Sequence, residues 1–352
     1  MISIISDSHL GTHRQAGTTP ASQVALKEYL QDEFRTLVNG RIHNHVIING
    51  DIFDSFSVDP GELISAYCTL ESHITNGGLL TLIAGNHDES AKGAKTSSFH
   101  LLAFMLETHF PDNVQVVDHQ SGLTSVSDGV WSIHHMLNQD LFNIEIDKAI
   151  AAKPCGAFLL LHCNVLSPFA EHADHSLNLD QDQIDALIGA GWQMVVGHEH
   201  TGKQYEGGKV ILPGNQIPSS ISDCLGNKNM AKYYAVIDGD TLDLVKWLEL
   251  DQVYAEINWQ DIDTATLECK KFIRVTGDCT AEQAADMVGR VSKLRQASTA
   301  FVVSNNVKIE GVAQMEGLAE LTSENLARFD VLGALLEELT EAEALVVREL
   351  LC

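Results

Sequence analysis

The sequence is short of positive charge, of paired cysteine motifs and of long apolar runs, and each shortage excludes something. Lysine and arginine total 22 against 48 aspartates and glutamates, a formal net charge of −26. That balance favours solubility and argues against a broadly basic nucleic-acid-binding surface. The seven cysteines (Cys68, Cys155, Cys163, Cys224, Cys269, Cys279 and Cys352) are scattered, odd in number and form no Cys-x-x-Cys pair. Reduced thiols in a cytosolic setting fit this pattern better than a disulfide framework. Cys163, beside His162, reads as a small buried apolar residue rather than a nucleophile or ligand. No uninterrupted apolar run approaches membrane-spanning length, so no membrane segment is expected. The first residues already read as a strand carrying polar site residues, and no signal peptide is expected. Repeats and low-complexity tracts are missing as well.

What the chain does have is a set of five short apolar runs, each of strand length and each stopping at polar residues. Leu79–Ile83 leads into Gly85-Asn86-His87-Asp88. Ile2–Ser6 ends in Asp7-Ser8-His9, and Val46–Asn49 ends in Gly50-Asp51-Ile52-Phe53-Asp54. Phe158–Leu161 ends in His162, and Met194–Val196 in Gly197-His198-Glu199-His200. Polar residues at the carboxyl ends of buried strands sit where open α/β sheets place their ligand sites. Five strands thus deliver aspartate, asparagine and histidine to one rim, which is the inventory of a metal centre.

A pair of divalent ions about 3.5–4 Å apart needs one bridging carboxylate and a few further ligands for each ion. Asp7, His9, Asp51, Asn86, His162, His198 and His200 supply that set, with Asp51 expected as the bridge. Asp7, His9 and His200 then serve one ion, and Asn86, His162 and His198 the other. The Asp-x-His and His-x-His spacings suit this, because alternate residues of extended chain point the same way. Imidazole and oxygen ligands without thiolate fit manganese, iron or zinc. His87 lies one residue past a ligand, so it is free to face a substrate oxygen as a general acid. The neighbouring Asp88 is expected to orient its ring and favour the protonated form. The other histidines, His13, His43, His45, His73, His100, His109 and His119 among them, default to surface or packing roles. His134, His135, His172 and His175 stand on loops that could approach the site.

The organisation around these stops reads as α/β. Ser22–Val38 is expected to be a helix with Leu26, Leu30, Phe34 and Leu37 on its buried face and Asn39-Gly40 as its stop. A second helix carries Leu63, Tyr67, Leu70 and Ile74 and closes at Asn76-Gly77-Gly78. The resulting β-α-β-α-β order is that of a parallel sheet. Thr96–His109 reads as helix, and Val114–Met136 as short antiparallel strands. A helix at Gln181–Ile188 separates the two later apolar strands. Lys209–Leu212 and the hairpin Tyr233–Ile237/Thr241–Leu248, turned by Asp238-Gly239-Asp240, are expected to close the second sheet. The fold expected is two mixed β-sheets packed face to face and flanked by helices, over residues 1–252. Residues 253–312 read as a small βαββ cap, and 313–352 as acidic C-terminal helices.

The series Asp-x-His, Gly-Asp-x-x-Asp, Gly-Asn-His-Asp, His and Gly-His-x-His resembles that of the calcineurin-like metallophosphoesterases. It is carried by Asp7/His9, Gly50/Asp51/Asp54, Gly85/Asn86/His87/Asp88, His162 and Gly197/His198/His200, and spans roughly two-thirds of the chain. Phosphoprotein phosphatases follow the second aspartate with Arg-Gly, whereas Ser55-Phe56 follows Asp54. The start Ser6–Gly11 and the Gly-Asp-Ile-Phe-Asp run resemble the SbcD-type recombination nucleases and their bacteriophage counterparts, although Ser8 stands where many members carry tryptophan. The resemblance implies an αββα sandwich with two divalent ions, manganese foremost. It also implies metal-dependent cleavage of DNA phosphodiester bonds, as 3′-5′ exonuclease and hairpin or single-strand endonuclease, in repair, recombination or phage DNA processing.

The implied partners are DNA, an SbcC-type coiled-coil ATPase and a second copy of the chain. A homodimer would use the helices around Leu63–Ile74 and Thr96–His109. The ATPase would dock on the tail from Met315. There Leu326, Phe329, Leu332, Leu336 and Leu339 recur at three- and four-residue intervals. Thr340-Glu341-Ala342-Glu343 looks like a capping box opening a second helix. Lys270, Lys271, Arg274, Arg290, Lys293 and Arg295 form the most basic stretch and are the candidate DNA contacts of the cap. Two other readings stand beside the nuclease. One is a small-molecule or nucleotide phosphodiesterase or phosphatase, which leaves the cap and tail without a purpose. The other is a non-catalytic scaffold, which the full ligand set disfavours.

Overall fold

In the computed structural model, residues 1–12, 20–40, 43–89, 95–152, 154, 156–167 and 177–309 are described. The first sheet begins with β1 (Ile2–Ile5), β2 (His45–Asn49), β3 (Leu79–Ile83) and β4 (Val114–Val117), all parallel. The crossovers are helices α1 (Pro20–Gly40), α2 (Pro60–Thr75) and α3 (Ser98–His109). α2 starts where Asp59 accepts the Gly61 N–H and Pro60 occupies the first turn, a position that needs no N–H from proline. α3 starts at Ser97, whose side chain accepts the His100 N–H.

The second sheet takes β5 (Thr124–Ser127), β6 (Val130–Ser132), β7 (Ala157–His162), β10 (Trp192–Gly197), β11 (Lys203–Tyr205) and β12 (Val210–Leu212), in the order β11-β12-β10-β7-β6-β5. Its outer face carries α4 (Gln139–Ala152) and α5 (Gln181–Ala190), the latter opened by a reciprocal Asp180/Gln183 capping box. A two-residue pair, β8 (Asn164–Val165) with β9 (Asn178–Leu179), follows β7.

The hairpin β13 (Ala231–Asp238)/β14 (Thr241–Glu249) departs from the sequence expectation. It does not close the second sheet. β13 lies antiparallel to β1, with Ile2 opposite Ile237, so the first sheet runs β14-β13-β1-β2-β3-β4. The reason is burial: Ala235 and Ile237 pack with Ile2, Ile4 and Ile47 between the sheets, and Tyr234 and Val236 face the helix side. The expectation for Val114–Met136 also needs correction. β4 is a parallel edge strand, and only β5 and β6 pair antiparallel.

Three apolar layers hold the sandwich. Leu26, Leu30, Phe34 and Leu37 of α1 join Leu70 and Ile74 of α2 and Phe99, Leu102 and Leu106 of α3 on the outer face of the first sheet. Ile4, Ile47, Ile83 and Val117 meet Val130, Phe158, Leu160 and Val195 between the sheets. Phe142, Ile146, Leu159, Leu161, Ile184, Leu187 and Trp192 form the third layer. Each fully buried side chain of this kind contributes about 1.5–3 kcal/mol. Cys163 lies in the third layer at 1 % exposure, a packing position, and the five described cysteines are free.

Beyond the hairpin, β15 (Tyr254–Asn258), β16 (Phe272–Thr276) and β18 (Val302–Asn305) form a parallel sheet. β17 (Asp278–Cys279) pairs with β19 (Lys308–Ile309), and α6 (Ala284–Ala297) packs on Trp259, Ile273 and Val275 through Met287 and Val291. Tyr254, Phe272 and Phe301 instead join the layer built on α1. The C-terminal helices expected from Met315 lie outside the described residues. No helix among the described residues is long and apolar enough to cross a membrane.

Candidate metal centre

The turns leaving β1, β2, β3 and β10, together with the last residue of β7, meet at one rim. The join runs across both sheets. His162 at the end of β7 donates its Nδ1–H to the Asn49 carbonyl at the end of β2, 2.9 Å away, and Asn49 Nδ2 donates to the Leu161 carbonyl. Inter-sheet apolar packing ends where this polar contact begins.

Four of the seven expected ligands stand in the left-handed region: Asp7 (φ 54°), His9 (φ 44°), Asp51 (φ 50°) and His198 (φ 88°). For residues with a Cβ such a conformation costs about 1–3 kcal/mol each and persists only where the surroundings enforce it. It also corrects the geometry expected for Asp-x-His. These side chains converge through strained turns, not through alternation along extended chain. Two glycines make room for them. A Cβ on Gly50 would stand 2.0 Å from His162 Nδ1, and one on Gly85 would stand 2.2 Å from Asp51 Oδ1.

Asp51 sits at the centre. Its Oδ1 accepts the His87 N–H at 2.9 Å, which leaves Oδ2 facing three imidazoles. His162 Nε2 is 3.3 Å from that oxygen, His9 Nε2 3.8 Å and His87 Nε2 3.9 Å. On one side, ligand atoms of Asp7, His9 and His200 lie within 4.8 Å of one another, and His9 Nε2 and His200 Nε2 are 3.0 Å apart. On the other side, Asp51, His162 and His198 form an equivalent group. Asn86 Oδ1 completes it, 3.2 Å from His162 Nε2 and 2.9 Å from His198 Nδ1. The two expected sets are therefore both assembled, with Asp51 between them.

These separations test whether a metal fits. Ligands about 2.1 Å from an ion, subtending 90–109°, lie about 3.0–3.4 Å from each other. The contacts His9–His200, His162–Asn86, His198–Asn86 and His162–Asp51 fall in or just beside that range. Electrostatics agrees. Among the described residues no lysine or arginine pairs with Asp7 or Asp51; their partners are histidines. Burial opposes ionisation of Asp51, yet His162, then His9 and His87, hold its carboxyl well below the usual range. Burial likewise works against charge on His162, but Asp51 and Asp7 raise it to about 10. His9 follows the same logic: burial lowers it, while Asp54 and Asp51 bring it up to about 9. Protons on His9 and His162 thus supply the positive charge that a divalent ion supplies when it displaces them. Burial and the nearby His162 lower His198 to about 4, leaving it a neutral ligand.

Two of the four imidazoles are oriented through their second nitrogen, as metal-bound histidines require. His162 is fixed by the Asn49 carbonyl. His200 Nδ1–H donates to Asp223 Oδ1 at 2.8 Å, and Asp223 Oδ2 accepts the Ser219 and Ser220 N–H groups. Burial opposes the Asp223 charge, but the His200 contact holds its carboxyl far below the ordinary value. Lys232, buried and lowered to about 8 by that burial, donates to the His200 carbonyl and to Asn215 and Asn227. Sequence reading found neither Asp223 nor Lys232, because no local spacing singles out one acid among 48. Replacing Asp223 with asparagine is expected to weaken the His200-side ion about 10–100-fold while leaving the second ion in place. Competition titration with a chromogenic chelator measures both affinities; unchanged values for both ions would refute the coupling.

His87 and Asp88 divide their tasks differently from expectation. His87 Nδ1–H donates to the Asp54 carbonyl at 2.6 Å, so Asp54 orients the ring and Nε2 faces the centre. Asp88 does not hold the imidazole. Its Oδ2 accepts the Asp51 N–H at 2.8 Å and the Gly85 N–H at 2.9 Å, bracing the two turns against each other. Burial, then the Asp51 charge, pushes Asp88 up to about 7. The reason is directional: the Gly85 and Asp51 N–H groups both come within reach of this carboxylate, and it turns to them rather than to the ring.

Of the remaining histidines, His43, His45, His73 and His109 take Ser3, Thr81, the Leu79 carbonyl and Tyr67 as partners. His135 is buried behind the centre, its Nδ1 3.4 Å from the His162 carbonyl. Burial lowers His135 to about 3 and His134 to about 4. His13, His172 and His175 lie outside the described residues.

Comparison with known proteins adds little. No family model and no curated protein matches the chain. Among solved structures it is similar to a cold-active protein-tyrosine phosphatase of the psychrophile Shewanella sp., at 15 % identity over 69 % of this chain and 79 % of that one, with a TM-score of 0.32. At that identity and score no chemistry passes from one protein to the other. The chain itself defines the class: a mixed α/β sandwich of two sheets bearing His/Asp clusters that could hold divalent metal.

Proposed function

We propose that the chain is a metal-dependent phosphodiesterase of the SbcD-like nuclease type, cutting DNA phosphodiester bonds with two divalent ions, manganese foremost. The observation that carries this reading is the single Asp51 oxygen set between two nitrogen- and oxygen-rich groups, with His87 Nε2 turned toward the same point. Two ions held by Asp7, His9 and His200 and by Asn86, His162 and His198, with Asp51 shared, would neutralise phosphate oxygens and activate an attacking water. The chain's own residues do the rest. Asp223 and Asn49 fix the His200 and His162 imidazoles, Asp88 locks the Gly85 and Asp51 turns together, and His87 delivers a proton to the departing 3′ oxygen.

Phosphate contacts dominate DNA affinity, and five of the six basic residues named in the cap are engaged locally. Arg274 pairs with Glu256, and Arg290 pairs with Asp263 and Asp286 while lying over Trp259. Lys271 lies over Phe301, and Lys270 and Arg295 bond the Asp251 and Val303 carbonyls. In this proposal an SbcC-like coiled-coil ATPase, docked on the tail beyond residue 312, supplies most of the DNA affinity. A homodimer through α2 and α3 is part of the same proposal, supported by the exposure of Ile64, Leu101 and Phe104 on those helices. The net charge of −26 favours the second reading, a phosphodiesterase for small or nucleotide substrates. Incubation with manganese and end-labelled duplex DNA, beside a chromogenic phosphodiester, separates the two. Cleavage of both is expected; cleavage of the small diester alone would transfer the assignment to the second reading.

A further inference from the structure

A second cluster of metal-binding side chains stands at the end of the neighbouring strands, outside the centre described above. Glu89 follows the β3 turn, His100 lies in the first turn of α3, and Asp118 and His119 directly follow β4. Ligand atoms of Glu89, His100 and His119 lie within 4.8 Å of one another. His100 Nε2 is 3.3 Å from His119 Nδ1 and 3.7 Å from Asp118 Oδ2, and His119 Nδ1 is 3.8 Å from the same oxygen. The ring of His100 is held for this purpose. Its Nδ1 pairs with the Ser97 hydroxyl at 2.8 Å, which turns Nε2 toward His119.

Ordinary hydrogen bonding does not satisfy the group. Both carboxylate oxygens of Glu89 are buried, and among the described residues the one donor that acts on them is the His119 backbone N–H. A buried carboxylate in that condition costs several kcal/mol as a charge unless a cation meets it. His134 lies beneath, 2 % exposed, its Nδ1 unpartnered, and close enough to feel Asp118 and His119. Burial and the Asp118 charge push Glu89 up to about 8, which is what a carboxylate does when its counter-ion is a proton rather than a metal. Asp118 is anchored independently, its Oδ1 accepting the Gln120 N–H at 3.0 Å. His119 is 49 % exposed and gives an ion a way in.

We propose that Glu89, His100, Asp118 and His119 form a separate structural site for one divalent transition metal, with zinc as the best fit. Two imidazoles and two carboxylates make a four-ligand set without thiolate, matching zinc's tetrahedral preference and its borderline softness. The ion ties three separate segments together: the chain after His87-Asp88, the start of α3 and the end of β4. It thereby fixes the turn that carries His87 without touching the reacting atoms.

The test is metal stoichiometry, and it does not depend on activity. The full chain, stripped with chelator, is titrated with zinc in excess magnesium, and thermal unfolding is followed with and without zinc. The wild-type chain is expected to take up one equivalent more than His119→Ala, and Asp51→Asn is expected to keep that equivalent. Zinc should raise the unfolding temperature of Asp51→Asn but raise that of an Asp51→Asn/His119→Ala double variant less. Because His119 is on the surface its replacement leaves the fold intact, and Glu89→Gln gives a second, isosteric probe expected to weaken the same equivalent at least tenfold. Equal zinc uptake and affinity in the wild-type, His119→Ala and Glu89→Gln chains would overturn the site, whatever happens at Asp51.

Discussion

Replacing Asp51 with asparagine is expected to reduce occupancy of both ions of the main centre and to lower phosphodiester turnover by about 10³-fold or more. The loss is that large because Lewis-acid stabilisation is worth several kcal/mol, and each 1.36 kcal/mol is a factor of ten. Both ions suffer because one oxygen, Oδ2, faces His9 on one side and His162 on the other. Replacing Asp7, which lies with His9 and His200, should affect chiefly one ion. The fold should survive. Asparagine tolerates the left-handed backbone at this position (φ 50°), and its amide oxygen can still accept the His87 N–H. Loss of the Asp51 charge also relieves Asp88, whose carboxyl that charge disfavours. It also removes the carboxylate that holds His162 and His9 charged, so the metal-free variant is expected to unfold below the temperature of the metal-free wild-type chain. Elemental analysis finding two full equivalents at the main centre of Asp51→Asn would remove the bridging assignment.

How much of this centre can be read in advance depends on whether a residue's role is local. Asp7, His9, Asp51, Asn86, His162, His198 and His200 were legible because each follows an apolar run of strand length. Hydrophobic period and polar stop are local properties of a few consecutive residues. Asp223 was not legible. It reaches His200 from a turn 23 residues downstream, and its own neighbours Ser219, Ser220 and Ser222 resemble any polar loop. Asp88 shows a subtler limit: the residue was found but its target was not, since the direction of a carboxylate on a turn is set by which backbone N–H groups come near. Those belong to Gly85 and to Asp51, 37 residues away.

The fold divides along the same line. The β-α-β-α-β half was legible because α1 and α2 are amphipathic and end at glycine or asparagine. The hairpin β13/β14 was recognised as a hairpin, but its sheet was not, because strand alternation is satisfied equally well on either sheet. Only the long-range pairing of Ile237 with Ile2 decides it. His100 and His119 were set aside as surface histidines for the same reason: 19 residues apart, they become neighbours only once β4 returns beside β3.

His87→Gln is expected to lower turnover on a substrate with a poor leaving group by about 10²–10⁴-fold, the range of general acid contributions. Metal content should stay at the wild-type level. The argument rests on which atoms the residue commits. Its backbone N–H holds Asp51 Oδ1, and glutamine keeps that bond. Its Nδ1–H is taken by the Asp54 carbonyl, so only Nε2 faces the centre, 3.9 Å from Asp51 Oδ2. A protonated Nε2 in that place can donate to a departing alkoxide, which glutamine cannot protonate. The same geometry offers a rival: Nε2 also lies within 4.8 Å of the ligand atoms of His9 and Asp51, so the ring could serve as a ligand. Leaving-group dependence separates the two. A nitrophenolate departs without a proton, so the variant's loss on a nitrophenyl diester should shrink well below its loss on an alkyl diester. If both substrates lose equally and one equivalent of metal is missing, His87 is a ligand and the proton comes from elsewhere.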